Sequence, residues 1–133
     1  MANYLLDTTA IIDFLRGRKD AVDFLTKIAS KGSTVGCCAI NIAEVYAGMK
    51  ENERQVTKKF LDSLECYEVT RKLAELGGEY KREYAGKGIT LSLSDVIIAA
   101  VAISNSLTLV TDNLRHYPMP ELNTKQMEAG SKG

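Results

Sequence analysis

Tyr4-Leu5-Leu6-Asp7-Thr8-Thr9-Ala10-Ile11-Ile12-Asp13-Phe14-Leu15 decides the fold. Tyr4-Leu5-Leu6 is a short apolar strand, and it runs directly into Asp7-Thr8-Thr9, where a helix carrying Ile11, Ile12 and Leu15 begins. Arg16-Gly17-Arg18 ends that helix. The change from strand to helix then recurs downstream. Residues 20–31 form an amphipathic helix with Val22, Phe24, Leu25 and Ile28 apolar, and Gly32-Ser33 opens a strand over residues 34–38. A third helical element begins at Asn41-Ile42-Ala43-Glu44 and runs to Met49, and another spans residues 53–64. Residues 66–69 read as a weak strand. Residues 71–84 read as a long helix in which Gly77-Gly78 should cost roughly 1 kcal/mol per glycine. After the Gly86-Lys87-Gly88 turn, residues 92–104 form an almost wholly apolar helix, and residues 107–110 form the last strand. Strands alternating with helices predict an α/β fold: a short central parallel sheet flanked by helices on both faces and joined by right-handed crossovers.

Size and composition narrow the function. A chain of 133 residues fits one globular domain, placed here at residues 1–128 with a loose tail at 129–133. Seventeen acidic residues balance seventeen basic ones, so no global field draws in nucleic acid or an anionic membrane, and any polyanion site must be local. The longest apolar run, residues 96–103, is far shorter than the roughly 20 residues that span a bilayer, and no signal segment opens the chain. A cytoplasmic protein is expected. Cys37 and Cys38 are adjacent and so point to opposite faces of a strand, while Cys66 stands apart. That pattern favours plain reduced thiols over a zinc site or a disulfide. His116 is the sole histidine, which excludes a multi-histidine metal site within one chain.

In a parallel sheet the ligand crevice lies beyond the carboxyl ends of the strands. Asp7 follows the first strand directly, and Asp112 follows the last one after Thr111. Glu44 sits on the first turn of the helix after the second strand, and Asp95 opens the apolar helix before the last strand. All four are expected to face one crevice. Each acid also has a structural explanation. Asn41-x-x-Glu44 and Ser92-x-x-Asp95 match the capping box, Asp7 suits an N-cap, and Asp112 suits a solvated loop. Convergence distinguishes the readings, because two unit charges about 4 Å apart repel by roughly 4 kcal/mol at an effective dielectric near 20 unless a cation intervenes. Hard carboxylate oxygens suit Mg²⁺ or Mn²⁺, and the chemistry implied is phosphoryl hydrolysis.

At these residues the chain resembles the PIN-domain nucleases, and more closely the VapC toxins of prokaryotic toxin–antitoxin pairs. The resemblance covers nearly the whole chain. It rests on Leu5-Leu6-Asp7-Thr8-Thr9-Ala10-Ile11-Ile12-Asp13, Asn41-Ile42-Ala43-Glu44, Leu93-Ser94-Asp95-Val96-Ile97-Ile98-Ala99-Ala100 and Leu109-Val110-Thr111-Asp112-Asn113, in that order. It implies a single PIN-like domain, Mg²⁺- or Mn²⁺-dependent cleavage of RNA by a metal-activated water, homodimerisation and inhibition by a small VapB-like antitoxin. Asp7, Glu44 and Asp95 map onto the family's acids. The fourth falls at Asp112 or Asn113: many relatives place an acid two residues after the threonine, where this chain has Asn113. Thr9, Ser94, Thr111 and Asn113 are candidates for orienting the carboxylates.

Phosphate contacts are less legible. Arg16 and Arg18 with Lys19, Arg82 with Lys87, and Arg115 with His116 are candidates to touch RNA, against the alternative of a solvated charged face. Asp13, six residues past Asp7, is expected to face away from the site. Two other function classes compete with the nuclease. A phosphoacceptor receiver needs an aspartate after the central strand, and Glu68-Val69-Thr70 offers none. A non-catalytic PIN-like module binding RNA or protein would keep the fold and lose the metal, and the retained acids argue against it.

Overall fold

The computed structural model describes residues 3–127. The end of the expected domain at residue 128 and the expected tail at 129–133 lie outside them. Five strands carry the architecture: β1 (Asn3–Leu6), β2 (Thr34–Cys38), β3 (Glu65–Tyr67), β4 (Thr108–Val110) and β5 (Asn123–Lys125). Six helices connect them: α1 (Thr8–Leu15), α2 (Lys19–Ser30), α3 (Ala39–Gly48), α4 (Arg54–Asp62), α5 (Arg71–Ala85) and α6 (Leu93–Ser104). All strand pairs are parallel, in the order β3-β2-β1-β4-β5.

This order creates the site. The chain leaves β1 toward β2 and β3 on one side and later returns to β4 and β5 on the other, so the connections diverge between β1 and β4. A crevice opens beyond the carboxyl ends of strands at such a point. The register fixes its floor: Leu6 pairs with Val110, and the Asp7 backbone N–H donates to the Val110 carbonyl at 3.1 Å.

Alternating side chains divide the core between the two faces. Leu5, Cys38 and Leu109 point into the cluster with α5 and α6, whereas Leu6, Cys37 and Val110 point into the one with α1, α2 and α4. Full burial of each such leucine is worth about 1.5–3 kcal/mol, which is why these short strands hold together. Cys37 and Cys38 occupy opposite faces, as the strand period demands. Burial pushes the Cys37 thiol up to about 12, so it is an inert core group.

Several boundaries differ from expectation. The helix after β2 starts at Ala39, two residues before Asn41, because Asn41 is its third residue and folds its side chain back to cap it. Glu44 therefore stands on the second turn. The Gly77-Gly78 pair does not interrupt α5: a Cβ on Gly77 would lie 3.1 Å from the Ile97 side chain and 3.3 Å from its backbone, so glycine there lets α5 and α6 approach closely. Strand β5 was not expected. All three of its residues are exposed, and no apolar pattern marks it; backbone pairing with β4 alone makes it a strand.

Candidate active site

Three helices, α1, α3 and α6, bring three of the acids together. Asp7 is the N-cap of α1, and its Oδ1 accepts from the Ala10 N–H at 2.8 Å. The Thr111 hydroxyl also bonds the carboxylate. Capping and function coexist here, because a carboxylate with two oxygens can satisfy one backbone donor and still face the crevice. Asp7 is almost wholly buried. Burial, with smaller contributions from the charges of Asp95 and Asp112, raises its carboxyl from 3.8 to about 6 despite those hydrogen bonds.

Glu44 is held by a relay. The Cys38 N–H donates to Asn41 Oδ1 at 2.8 Å, Asn41 Nδ2 donates to Thr8 Oγ1 at 3.0 Å, and the Thr8 hydroxyl donates to Glu44 Oε1 at 2.5 Å. Asn41 is completely buried, so its amide cannot exchange these partners for water. The expected Asn41–Glu44 capping box is thus replaced by a Cys38–Asn41 pairing, which frees the Glu44 carboxylate for the crevice. Thr8 was not singled out in the sequence, and Asn41 was read there only as a helix cap. The signal was present in the spacing: Thr8 adjoins Asp7, and Asn41 stands three residues before Glu44.

Asp95 divides its duties differently. Its backbone N–H donates to the Ser92 hydroxyl at 3.1 Å, half of the expected capping box, while its carboxylate turns inward. There Oδ1 accepts from the Tyr117 hydroxyl at 3.1 Å, and Oδ2 lies 3.3 Å from His116 Nδ1. Tyr117 is buried. Desolvation, then the charges of Asp7 and Asp95, pushes its phenol far above the usual range, so it stays a protonated donor. It too was missed, because it lies 22 residues from Asp95 and only folding joins them.

One crevice of about 370 Å³ is lined by Asp7, Glu44, Asp95, Asn113, His116 and Tyr117, with Thr8, Thr9 and Ser92. Three of the four expected acids therefore meet. Asp112 is turned toward the chain after β5, where its Oδ1 accepts from the Met127 N–H at 2.8 Å, although its charge still reaches Asp7. Asn113, whose N–H is held at 3.0 Å by the Thr111 hydroxyl, lines the wall instead. Ser94 lies 3.5 Å from Ser92 at the start of α6. Of the basic candidates, Arg18 pairs with Asp13 at 3.6 Å and Arg82 with Glu79 at 3.8 Å, while Arg16 lines a different cavity. The Arg18 pair turns Asp13 away from the site. Arg115 lies on the 3-10 turn Leu114–His116, next to the crevice.

The donor set fits a hard divalent cation. Clustered carboxyl oxygens and a carboxyl raised by burial and like charge describe a site that a cation would relax. Among the described residues no three acidic, histidine or cysteine side chains converge tightly enough to enclose an ion by themselves. A partly hydrated Mg²⁺ or Mn²⁺, held by one or two carboxylates and waters, suits this open wall better than an ion needing a full protein cage.

The model of the PIN domain family matches residues 4–122, and the chain belongs to that family. It is 33% identical over 119 residues to ribonuclease VapC19 of Mycobacterium tuberculosis, covering 89% of this chain and 95% of the relative. It is 32% identical over 117 residues to ribonuclease VapC10 of the same organism, covering 88% and 87%. Among solved structures it resembles VapBC2 from Rickettsia felis bound to a promoter DNA fragment, with a TM-score of 0.80, 27% identity, and coverage of 93% of this chain and 98% of that one. It likewise resembles the DNA-bound VapBC of Salmonella typhimurium, with a TM-score of 0.80, 25% identity, and coverage of 96% and 100%.

Proposed function

For a PIN domain chain with this crevice, we propose a divalent-metal-dependent endoribonuclease that acts as the toxin of a toxin–antitoxin pair. The observation that carries the reading is the meeting of Asp7, Glu44 and Asp95 on one wall beyond the carboxyl ends of the sheet. The relatives named as ribonucleases and the neighbouring toxin–antitoxin complexes support it.

One or two of Asp7, Glu44 and Asp95 would hold Mg²⁺ or Mn²⁺ directly and the remainder through water, with the fourth place supplied by Asp112, through water, or by Asn113. When bound, the ion supplies charge neutralisation for the phosphodiester and a more acidic water. The protein's own part is orientation. Thr111 and Ala10 fix Asp7, the Asn41–Thr8 relay fixes Glu44, and Tyr117 fixes Asp95, so the carboxylates need not reorganise when substrate arrives. Asp7, charged above pH 6, is ready for a cation at neutral pH.

The partners that follow are RNA as substrate, a small VapB-like antitoxin and a second copy of the chain. Among the described residues no helix is long and apolar enough to cross a membrane. The test is digestion of total RNA by purified protein with and without Mg²⁺ or Mn²⁺, followed by mapping of the cut ends. The expected products carry a 5′-phosphate and a 3′-hydroxyl, and EDTA stops the reaction. EDTA-insensitive cleavage leaving 2′,3′-cyclic phosphates would overturn the proposal, as would calorimetry showing no binding of either ion. A strictly monomeric mass in light scattering at micromolar concentration would remove the homodimer alone.

A further inference from the structure

We propose that Cys37 and Cys66 form an oxidant-sensitive pair: a hydroperoxide oxidises the exposed Cys66 thiol, and Cys37 then closes an intramolecular disulfide across the edge of the sheet. The sequence sets Cys66 far from the other cysteines, but the register places Cys66 of β3 directly opposite Cys37 of β2. The next register pair, Tyr67 and Cys38, packs into the cluster with α5 and α6. Alternation therefore turns Cys66 and Cys37 together toward the opposite face. The two thiols share a hydrogen bond. Neighbouring strands lie about 4.7–4.9 Å apart, inside the roughly 4.4–6.8 Å between Cα atoms that a disulfide spans, so the bond can close with both strands in place. Cys38 faces the other cluster and takes no part.

Access to solvent sets the order of events. Cys37 is completely buried, and its raised thiol makes it inert toward a reagent in solution. Cys66 is exposed on β3, an edge strand of the sheet, so the oxidant meets it first. The Cys66 sulfur takes one oxygen from the hydroperoxide, giving a sulfenic acid and releasing water or an alcohol. The Cys37 sulfur then attacks the Cys66 sulfur, the S–O bond breaks, and the hydroxyl leaves with the Cys37 proton as water. Two thiols have lost two electrons and two protons, and the hydroperoxide has taken them up. The high pKa of Cys37 slows the second step, and its fixed contact with Cys66 offsets this by making the attack intramolecular. The bond closes a loop that contains α3 and α4, which restricts the unfolded chain and so stabilises the folded one.

The test treats the full chain at micromolar concentration with hydrogen peroxide, denatures it in the presence of N-ethylmaleimide, and maps the cysteine peptides by mass spectrometry without reductant. A linked Cys37–Cys66 peptide is expected, with Cys38 alone blocked by maleimide. Dithiothreitol should reverse the link, and the oxidised protein should melt at a higher temperature than the reduced one. Cys66→Ser, a change at an exposed position that spares the core, should lose both the link and the rise in melting temperature. In Cys37→Ala the sulfenic acid on Cys66 should persist and be trapped by dimedone. The proposal is overturned if Cys66 stays reduced, advances to a sulfinic acid while Cys37 remains free, or joins two chains. A linked pair that lowers the melting temperature would also overturn it, because the strands would then have to be forced together.

Discussion

The acid crevice and the apolar cavity on the α1, α3 and α4 side both draw on α1 and α3, yet they share no lining residue. The crevice takes Asp7, Thr8 and Thr9 from the start of α1 and Glu44 from α3. The other cavity, about 310 Å³, takes Ile12 and Leu15 from further along α1, Val45, Gly48 and Met49 from α3, and Val56 from α4. At the start of α1, free N–H groups and the positive end of the helix dipole favour an acid at the cap. Further along, the backbone is self-satisfied, and what the helix offers a neighbour is an apolar stripe. In α1 the acid thus sits at the strand-to-helix junction, and the rest of that helix packs.

Substitutions can break this contrast. The largest effect is expected from Asp7→Asn or Asp95→Asn, each removing a metal-binding charge while keeping a similar shape. Groups that merely orient ligands cost 10–100-fold when removed, so cleavage of an RNA substrate should fall more than about 100-fold. Near wild-type activity with Mg²⁺ in either variant would show that the crevice is not the active site.

Asp7→Asn should also separate catalysis from stability in the metal-free protein. The Asp7 carboxyl is raised in the folded state to about 6 from 3.8, so between those values the folded chain holds a proton that the unfolded chain has lost. Stability from this group is therefore fullest below pH 4 and falls as pH rises through 6, by about 2–3 kcal/mol once complete. Because asparagine keeps the cap to Ala10 and carries no charge, the variant should match wild type near pH 4 and melt higher at pH 7.5 with EDTA present. Equal melting temperatures at both pH values would contradict the burial penalty.

A smaller loss is expected where the wall is oriented instead of charged. Tyr117→Phe removes only the hydroxyl that holds Asp95, and Mn²⁺ affinity measured by calorimetry should weaken about tenfold with the fold intact. Unchanged affinity would mean that Asp95 needs no such hold. The fourth position is sharpened by order of effect: Asn113 lines the crevice while Asp112 holds the Met127 N–H, so Asn113→Ala should slow cleavage more than Asp112→Asn if lining decides. The reverse order would show that the charge of Asp112 acts from behind. Least affected should be Val56→Asp in the apolar cavity, whose side chain is 63% exposed; RNA cleavage should stay within about twofold of wild type.

The alternation of strand and helix, the opposite facing of Cys37 and Cys38, and the candidacy of Asp7, Glu44 and Asp95 were all legible in the sequence. Hydrophobic period and proximity to strand ends are local properties. Hidden from it was whatever depends on distant segments meeting. Asn123–Lys125 becomes a strand only because β4 is beside it, and Gly77 is tolerated in α5 because Ile97 packs against it. Tyr117 reaches Asp95 across 22 residues, and Thr8 reaches Glu44 across 36. The sequence by itself determined which acids stand at the ends of which strands, since a carboxylate after an apolar run is a one-dimensional fact. Only the tertiary structure decided that Asn113 and not Asp112 lines the crevice, and that Asn41 serves Cys38 and Thr8 instead of a capping box. A side chain's hydrogen-bond partner is set by the direction in which the folded backbone points it, and spacing along the chain does not contain that direction.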